Sequence, residues 1–464
     1  MACKRPRREL MSLSSIPQSI VQHIAFFIPV AKDFLSFLAS FPDATSIGDL
    51  QSFLELSNIL RPNDLWPKLQ LKEMTPSLVP SVRRIAFFFT TMYVFKVFDV
   101  KLLQQCLHPH NIVELLQSPM RRAVYDWLKT PLSILPVQHI KIGFACEFSS
   151  ACFLDQLGSM PHLVSLSLER CTFFPRDLDR LFAFIEELTR LSLSTLYKSK
   201  RLDEHDVSNS GREKPPGRFR HRHLEALTAW LRLCPVTSIS LGNWFVVQED
   251  SSSAVELLKT IFASSTLENV SLDMERFDRY IQAAMFPARF CMQSLELSYC
   301  SLNVTTMAAL ATGLRHSNIT SLTLDTSNID GAILPSLLDA LLDTNVRQLS
   351  LSFESLEDDE CALIAAALPS LTIIELNLCC NELTDRSAKV LSEVVGRATS
   401  LTSLVLSEND IDLEGATALV KALSERPQVT TWLDLSWNRM KEAEAVCLYD
   451  MVEKTPQILS ANFK

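Results

Sequence analysis

The sequence predicts an α/β fold in which short parallel strands alternate with helices along a solenoid, preceded by a small helical domain. Three observations predict it. From Val137 onward one phrase recurs: an apolar residue, two variable ones, an apolar residue, one variable, an apolar residue, then Asn or Cys three positions on. The copies keep step along the chain, and the stretches between them carry apolar residues at helical spacing.

The clearest copies are Leu163-Leu166-Leu168-Cys171, Met292-Leu295-Leu297-Cys300, Ile373-Leu376-Leu378-Asn381, Leu401-Leu404-Leu406-Asn409 and Thr430-Leu433-Leu435-Asn438. First positions fall at 137, 163, 188, 236, 267, 292, 319, 346, 373, 401, 430 and 458, giving steps of 26, 25, 48, 31, 25, 27, 27, 27, 28, 29 and 28. Each phrase predicts a strand and each interval a helix, as in Ala388, Val390, Leu391, Val394 and Val395, or Ala416, Ala418, Leu419 and Leu423. One such unit cannot bury its apolar face alone, so neighbours must stack. The Asn or Cys then turns inward to satisfy backbone groups that the bend leaves unpaired.

With the D-x-x-G-A-x-x-L run from Asp412 to Leu419, this set resembles the ribonuclease-inhibitor-like class of leucine-rich repeats, over about residues 137 to 464. The resemblance implies a horseshoe with a concave parallel sheet and outer helices. It also implies a scaffold that binds proteins and performs no chemistry.

Composition agrees with a scaffold. A solenoid grows linearly, so 464 residues need not divide into several globular domains, and 47% hydrophobic residues supply a continuous core. The 10 glycines form neither G-x-G-x-x-G nor G-x-x-x-x-G-K-[ST], so no phosphate-cradling loop or cofactor is expected. A net charge of −9 argues against nucleic acid as a partner. No H-E-x-x-H or G-x-S-x-G occurs, and no catalytic residue is assigned.

The 12 cysteines include no Cys-x-x-Cys, and no signal peptide precedes them, so they are expected as buried thiols without a metal. Cys379 and Cys380 are the exception in being vicinal, after a strand. Of the sequons at Asn269, Asn303 and Asn318, Asn269 falls within a predicted strand and Asn318 directly before one, where glycans would crowd the stack. The expected location is cytoplasmic and/or nuclear, the latter from Lys4-Arg5-Pro6-Arg7-Arg8 within a basic tail at 1–11. The apolar run Ile85 to Phe98 has 14 residues, interrupted by Lys96, which is too short for a bilayer span. It is expected as a buried strand and helix, with Val82-Ile85-Phe87 at the repeat's spacing.

The long step after 188 predicts an insertion at about 198–222, rich in Lys and Arg and broken by Pro215-Pro216-Gly217. His205, His221 and His223 lie in or beside it without metal-ligand spacing.

Residues 12–75 do not follow the repeat. Ile16, Ile20, Ile24 and Phe27 recur at helical spacing just after the Pro17 position that suits a helix start, and Pro29 closes the element. Asp33 to Leu38 forms a second amphipathic stretch, and Leu65-Trp66 follows. This order resembles an F-box, departing from it at Phe37 to Phe41, where the Val-Cys and aromatic end of the motif is absent. The resemblance implies binding of an Skp-type adaptor of a cullin ubiquitin ligase. Leu13, Ile16, Pro17, Ile20 and Ile24 match the motif positions that face the adaptor. The solenoid, taken as 76–464, would then hold a substrate. Two other readings remain: a cap on a binding scaffold without any ubiquitin link, and a Ran-type GTPase activator, for which Arg170 and Arg190 are the arginines nearest early turns.

In the repeat phrase the variable positions point away from the core. In the later copies these are Glu296, Asp325, Glu375 and Asp434, with Tyr299, Phe353, Trp432 and Trp437 near the rim. Aromatics beside carboxylates with few basic residues predict a basic protein partner there.

Overall fold

The computed structural model describes residues 16–41, 44–72, 74–95, 99–117, 131–142, 150–169, 171–173, 175–194, 197–198, 218–242, 245–246, 251–273, 280–300 and 302–464. Leu13, the basic tail, Lys96, Arg170, His205 and residues 199–217 of the expected insertion lie outside them. The chain divides into two compact units, Met1–Leu188 and Thr189–Lys464.

The first unit opens with helices α1 (Gln18–Phe26), α2 (Ala31–Ala39) and α3 (Gln51–Ser57). They pack around an aromatic cluster in which Trp66 stacks on Phe34 at 4.4 Å between ring centroids, with Phe53 edge-on to Phe34 at 5.0 Å. The indole N–H of Trp66 donates to the Ile28 carbonyl at 2.6 Å, so its polar edge is satisfied inside the bundle. The Leu65-Trp66 pair is therefore core.

Five parallel strands follow: β1 (Leu69–Leu71), β2 (Thr91–Val94), β3 (Ile112–Gln117), β4 (Val137–Ile142) and β5 (Ser165–Glu169). Helices α4 (Val79–Ala86), α5 (Val100–Cys106) and α6 (Ser150–Leu157) run between them, and α7 (Pro175–Phe184) follows β5. The parallel ladder thus starts inside the segment expected to be wholly helical. Val82 and Ile85, which have the spacing of a strand phrase, instead form the buried stripe of α4, three residues apart on one helical face, while Phe87 is exposed. Short apolar runs fit either period, and here Pro80 at the first turn favours the helix.

The second unit continues with ten parallel strands, β6 (Arg190–Ser194), β7 (Ser238–Gly242), β8 (Asn269–Asp273), β9 (Ser294–Ser298), β10 (Ser321–Thr323), β11 (Gln348–Ser350), β12 (Glu375–Asn377), β13 (Ser403–Val405), β14 (Trp432–Asp434) and β15 (Ala461–Asn462). Helices between them are α8 (His221–Leu233), α9 (Ser251–Ala263), α10 (Val304–Leu314), α11 (Leu334–Leu341), α12 (Asp358–Ala367), α13 (Asp385–Val394), α14 (Leu413–Glu425) and α15 (Glu442–Glu453). Parallel strands joined by helices, repeating at the sequence period, are a leucine-rich-repeat solenoid.

Register carries the repeat into the core. Leu191, Ile239, Val270, Leu295, Leu322, Leu349, Leu376, Leu404 and Leu433 pair strand to strand in one row. Each is at most 2% exposed. Burying such a side chain contributes roughly 1.5–3 kcal/mol relative to leaving it in water, so the row is the principal apolar spine of this unit. From α13, Ala388, Leu391 and Val394 pack inward, and from α14, Ala416, Leu419 and Leu423.

The inward turn residues behave as donors and acceptors rather than as filler. Asn409 donates to the carbonyls of Leu378 at 3.0 Å and Leu406 at 3.1 Å, and accepts from the Leu383 N–H at 3.1 Å. Asn381 and Asn438 repeat this pattern. Among the described residues Cys300 shows the donor half, through Sγ to the Ser298 carbonyl at 3.3 Å. Glu354 supplies the acceptor half only, a position the repeat phrase did not single out.

Consecutive helices are tied by their first turns. Asp358 of α12 accepts from the Thr384 N–H at 3.0 Å and the Thr384 hydroxyl at 2.6 Å, and from the Ser387 N–H at 3.1 Å, at the start of α13. Burial opposes the charge of Asp358, but the hydrogen bonds from Ser387 and Thr384 outweigh it and hold the carboxyl below its usual range. One repeat later Asp385 accepts the Asp412 N–H at 2.9 Å.

Candidate protein-interaction surfaces

The helix expected after Pro17 forms, and its inward stripe is Val21 and Ala25. The residues at the other spacing face outward: Ile20 is 49% exposed, Ile24 44%, Phe27 83% and Val30 52%. Ile16 is half-buried and Pro17 exposed. A nine-residue helix that buries its small residues and leaves its isoleucines in water reverses the usual economy of an amphipathic helix. Ile20 and Ile24 share a face, one turn apart, which Phe27 extends past the helix end.

The open face of the sheet in the second unit places the other expected residues on separate rows. Glu296 lies in the row that continues through Thr323, Ser350, Asn377 and Val405 to Asp434. Five strand steps therefore separate Glu296 from Asp434, about 24 Å at the usual spacing. Glu375 and Trp432 share a second row with Gln348 and Ser403. Asp325 ends the strand phrase of its own repeat.

Several of these carboxylates are already engaged. Asp434 accepts from the Ser436 N–H at 3.0 Å and hydroxyl at 2.6 Å. Asp325 accepts from the Ser350 hydroxyl at 2.7 Å and the Ser352 N–H at 2.9 Å. Glu375 receives the Gln348 amide at 2.9 Å, and Glu296 the Ser298 hydroxyl at 3.4 Å. Asp273, which the sequence reading passed over, sits beside this group; burial and then the Glu296 charge hold its carboxyl above the usual range. Its signal was present, since it occupies in its repeat the place of Ser298 in the next.

Tyr299, Phe353 and Trp437 form a third set. They are 48%, 59% and 77% exposed, and each has a left-handed backbone, with φ of 56°, 59° and 56°. Thr326, Cys380 and Glu408 fill the same place in the intervening repeats, at φ of 54°, 56° and 55°. The turn after each strand needs this conformation whatever residue occupies it, and it costs a non-glycine residue about 1 kcal/mol or more. Glu408 is also exposed in this row, whereas Thr326 and Cys380 are half-buried. Trp432, on the strand itself, is 37% exposed.

Cys379 and Cys380 are half-buried, with Sγ atoms 3.1 Å apart. Burial, then the neighbouring thiol and the Glu408 carboxylate, hold the Cys380 thiol well above its usual value, which does not favour a nucleophilic thiolate. Cys171, Cys300 and Cys361 are buried, as the sequence implied, whereas Cys152, Cys291 and Cys447 are exposed. His221 pairs with Glu225 at 3.0 Å, and the His223 ring accepts the Arg220 N–H at 3.2 Å, so both serve the start of α8. The end of the expected insertion belongs to the fold: Arg218–Phe219 pairs with Phe245–Val246, and Phe219 is 2% exposed. Arg190, on β6, is exposed and its Nε donates to the Thr237 hydroxyl at 3.4 Å. Among the described residues no helix is long and apolar enough to cross a membrane.

A family described as Leucine Rich repeat matches residues 397–420, which span the Leu401 to Asn409 phrase and the first half of α14. Solved structures similar to the chain include the yeast Rad7 and Elc1 complex, at 14% identity and a TM-score of 0.44, covering 92% of this chain and 90% of that one. An internalin (inlF) from Listeria monocytogenes is similar at 14% identity and a TM-score of 0.36, covering 90% and 95%. The TLR13–ssRNA13 complex is similar at 15% identity and a TM-score of 0.41, covering 80% of this chain and 49% of that one. The chain contains a leucine-rich repeat, and its two units are built from parallel strand-and-helix repeats of that kind.

Proposed function

We propose that this chain is a non-catalytic substrate receptor of the F-box and leucine-rich-repeat type. Its N-terminal helices would dock an Skp-type adaptor of a cullin ubiquitin ligase, and the open face of its repeats would hold a basic protein. The observation that carries the reading is the outward face of α1, where Ile20, Ile24 and Phe27 are exposed while Val21 and Ala25 hold the helix to the bundle. Ile20 and Ile24 are positions at which the F-box resemblance puts adaptor contacts, and Phe27 adjoins them. A helix-in-groove interface of this kind uses apolar anchors one turn apart.

The substrate side rests on Trp437, Trp432, Phe353 and Tyr299 with Glu375 and Glu296 on the same sheet. Exposed aromatics provide hot-spot area, and the carboxylates select for basic partners. Joining the two surfaces in one chain raises the local concentration of a substrate beside the ligase. Co-purification from native lysate tests this: an Skp-type adaptor and a cullin accompany the wild-type chain. Their absence, with a basic partner still captured, would favour a binding scaffold whose α1 serves only the bundle, as the burial of Val21 and Ala25 would equally allow.

A further inference from the structure

We propose that Cys379, Cys380 and Glu408 form a binding site for one thiophilic divalent cation, with zinc as the simplest occupant. The two Sγ atoms are 3.1 Å apart, and all three donor atoms lie within 4.8 Å of one another. Two soft sulfurs and one carboxylate are a ligand set for zinc, with water at the fourth position of a tetrahedron. Zinc–sulfur bonds of about 2.3 Å place tetrahedral sulfurs roughly 3.8 Å apart, so the pair need open by only about 0.7 Å.

The backbone under the site is fixed. Cys379 N–H donates to the Asn377 side chain at 3.0 Å, Cys380 N–H to the Ser407 carbonyl at 2.9 Å, and Glu408 N–H to the Ser436 carbonyl at 2.9 Å. The left-handed turns at Cys380 and Glu408 are successive members of one row, which brings donors from two repeats onto the same edge. The scaffold does not call for sulfur at either place. Equivalent positions to Cys379 are Ser298, Asp325, Ser352, Ser407 and Ser436, and Tyr299, Thr326, Phe353 and Trp437 stand where Cys380 does. Phe353 precedes the site in that row and Trp437 follows it, so an ion there would join the aromatic edge of the sheet. Binding zinc releases the thiol protons to solvent and requires no oxidant.

The test uses the reduced full chain with zinc alone, and cadmium as a spectroscopic substitute. The proposal predicts one zinc retained beyond that held by the Cys379→Ser/Cys380→Ser variant, and a thiolate-to-metal charge-transfer band with cadmium. It predicts a loss of affinity of about tenfold or more in Glu408→Gln. Should the double variant fail to fold, alkylation of the wild-type chain followed by mass spectrometry decides: zinc slows modification of Cys379 and Cys380 while exposed Cys291 and Cys447 react unchanged. Equal zinc content in wild type and double variant overturns the proposal, as does alkylation at Cys379 and Cys380 that zinc does not slow.

Discussion

The Glu354 carboxylate accepts the backbone N–H of Ser327, from the preceding repeat, at 2.6 Å, and with its second oxygen the Ile329 N–H at 2.7 Å. It stands where later repeats carry Asn381, Asn409 and Asn438. An amide there is neutral, whereas Glu354 is 7% exposed and must be buried either charged or protonated. Burial raises its pKa from 4.5 to about 7, although the backbone donors at Ser327 and Ile329 pull the other way.

Stability should therefore depend on pH with a definite sign. Between pH 4.5 and about 7 the unfolded chain has lost this proton while the native chain keeps it, so stability falls as pH rises through that window. The shift corresponds to on the order of 3 kcal/mol across the window. Urea unfolding of Glu354→Asn beside wild type checks this, with the variant's loss over the same window smaller by that amount. Parallel pH profiles for the two proteins would show that Glu354 is ionised throughout.

Replacing Asn409 by Ala should be among the costliest single changes in the later repeats. It strands the Leu383 N–H inside the stack and removes one of the two amide donors to each of the Leu378 and Leu406 carbonyls, which keep Asn381 and Asn438. A loss of at least about 2 kcal/mol is expected, read as a lower urea midpoint at constant slope. A change below half that value would mean that water enters the turn.

The helices and strands from Val137 onward were legible because two periods coincide there, the strand phrase and the helical stripe, and each repeat must satisfy both. The strand after each first position, from 137 to the last copy at 458, follows from that constraint. Leu69 to Val94 was less legible: β1 and β2 are short, and Val82-Ile85 matches either period until neighbours are known. The aromatic edge was legible in part. Tyr299, Phe353 and Trp437 stood out as large residues at variable positions, but their membership of one row with Cys380 and Glu408 depends on left-handed turns, which no glycine marks. The occupied hydrogen bonds of Asp325 and Asp434 were beyond sequence reasoning, because they depend on which neighbouring Ser turns toward them.

The segment 199–217 should be replaceable by a Gly-Ser linker of equal length with the melting temperature changed by no more than a few degrees, since loop composition acts mainly through a slowly varying entropy. Extending the replacement through Phe219 should instead destabilise the second unit by about 3–5 kcal/mol, the usual cost of removing a buried Phe. Thermal unfolding followed by circular dichroism separates the two. A large drop with the shorter replacement would show that residues 199–217 are integral to the fold.

Trp437→Ala should leave folding intact, since the side chain is 77% exposed, yet weaken binding of a basic partner by at least about tenfold, roughly 1.4 kcal/mol. Asp434→Ala should act differently: its carboxylate already holds Ser436, so part of its effect should appear as lost stability. Titrating each variant against a partner captured with wild type distinguishes these. An unchanged dissociation constant for Trp437→Ala would move the binding site off this edge.

The most direct measurement is calorimetric titration of the full chain with a purified Skp-type adaptor, for wild type and for Ile20→Asp/Ile24→Asp. Both side chains are about half exposed, so the double variant should keep the wild-type melting curve. Saturable one-to-one binding by wild type and its loss in the variant are the expected result. No binding by wild type, or equal binding by both, would contradict it.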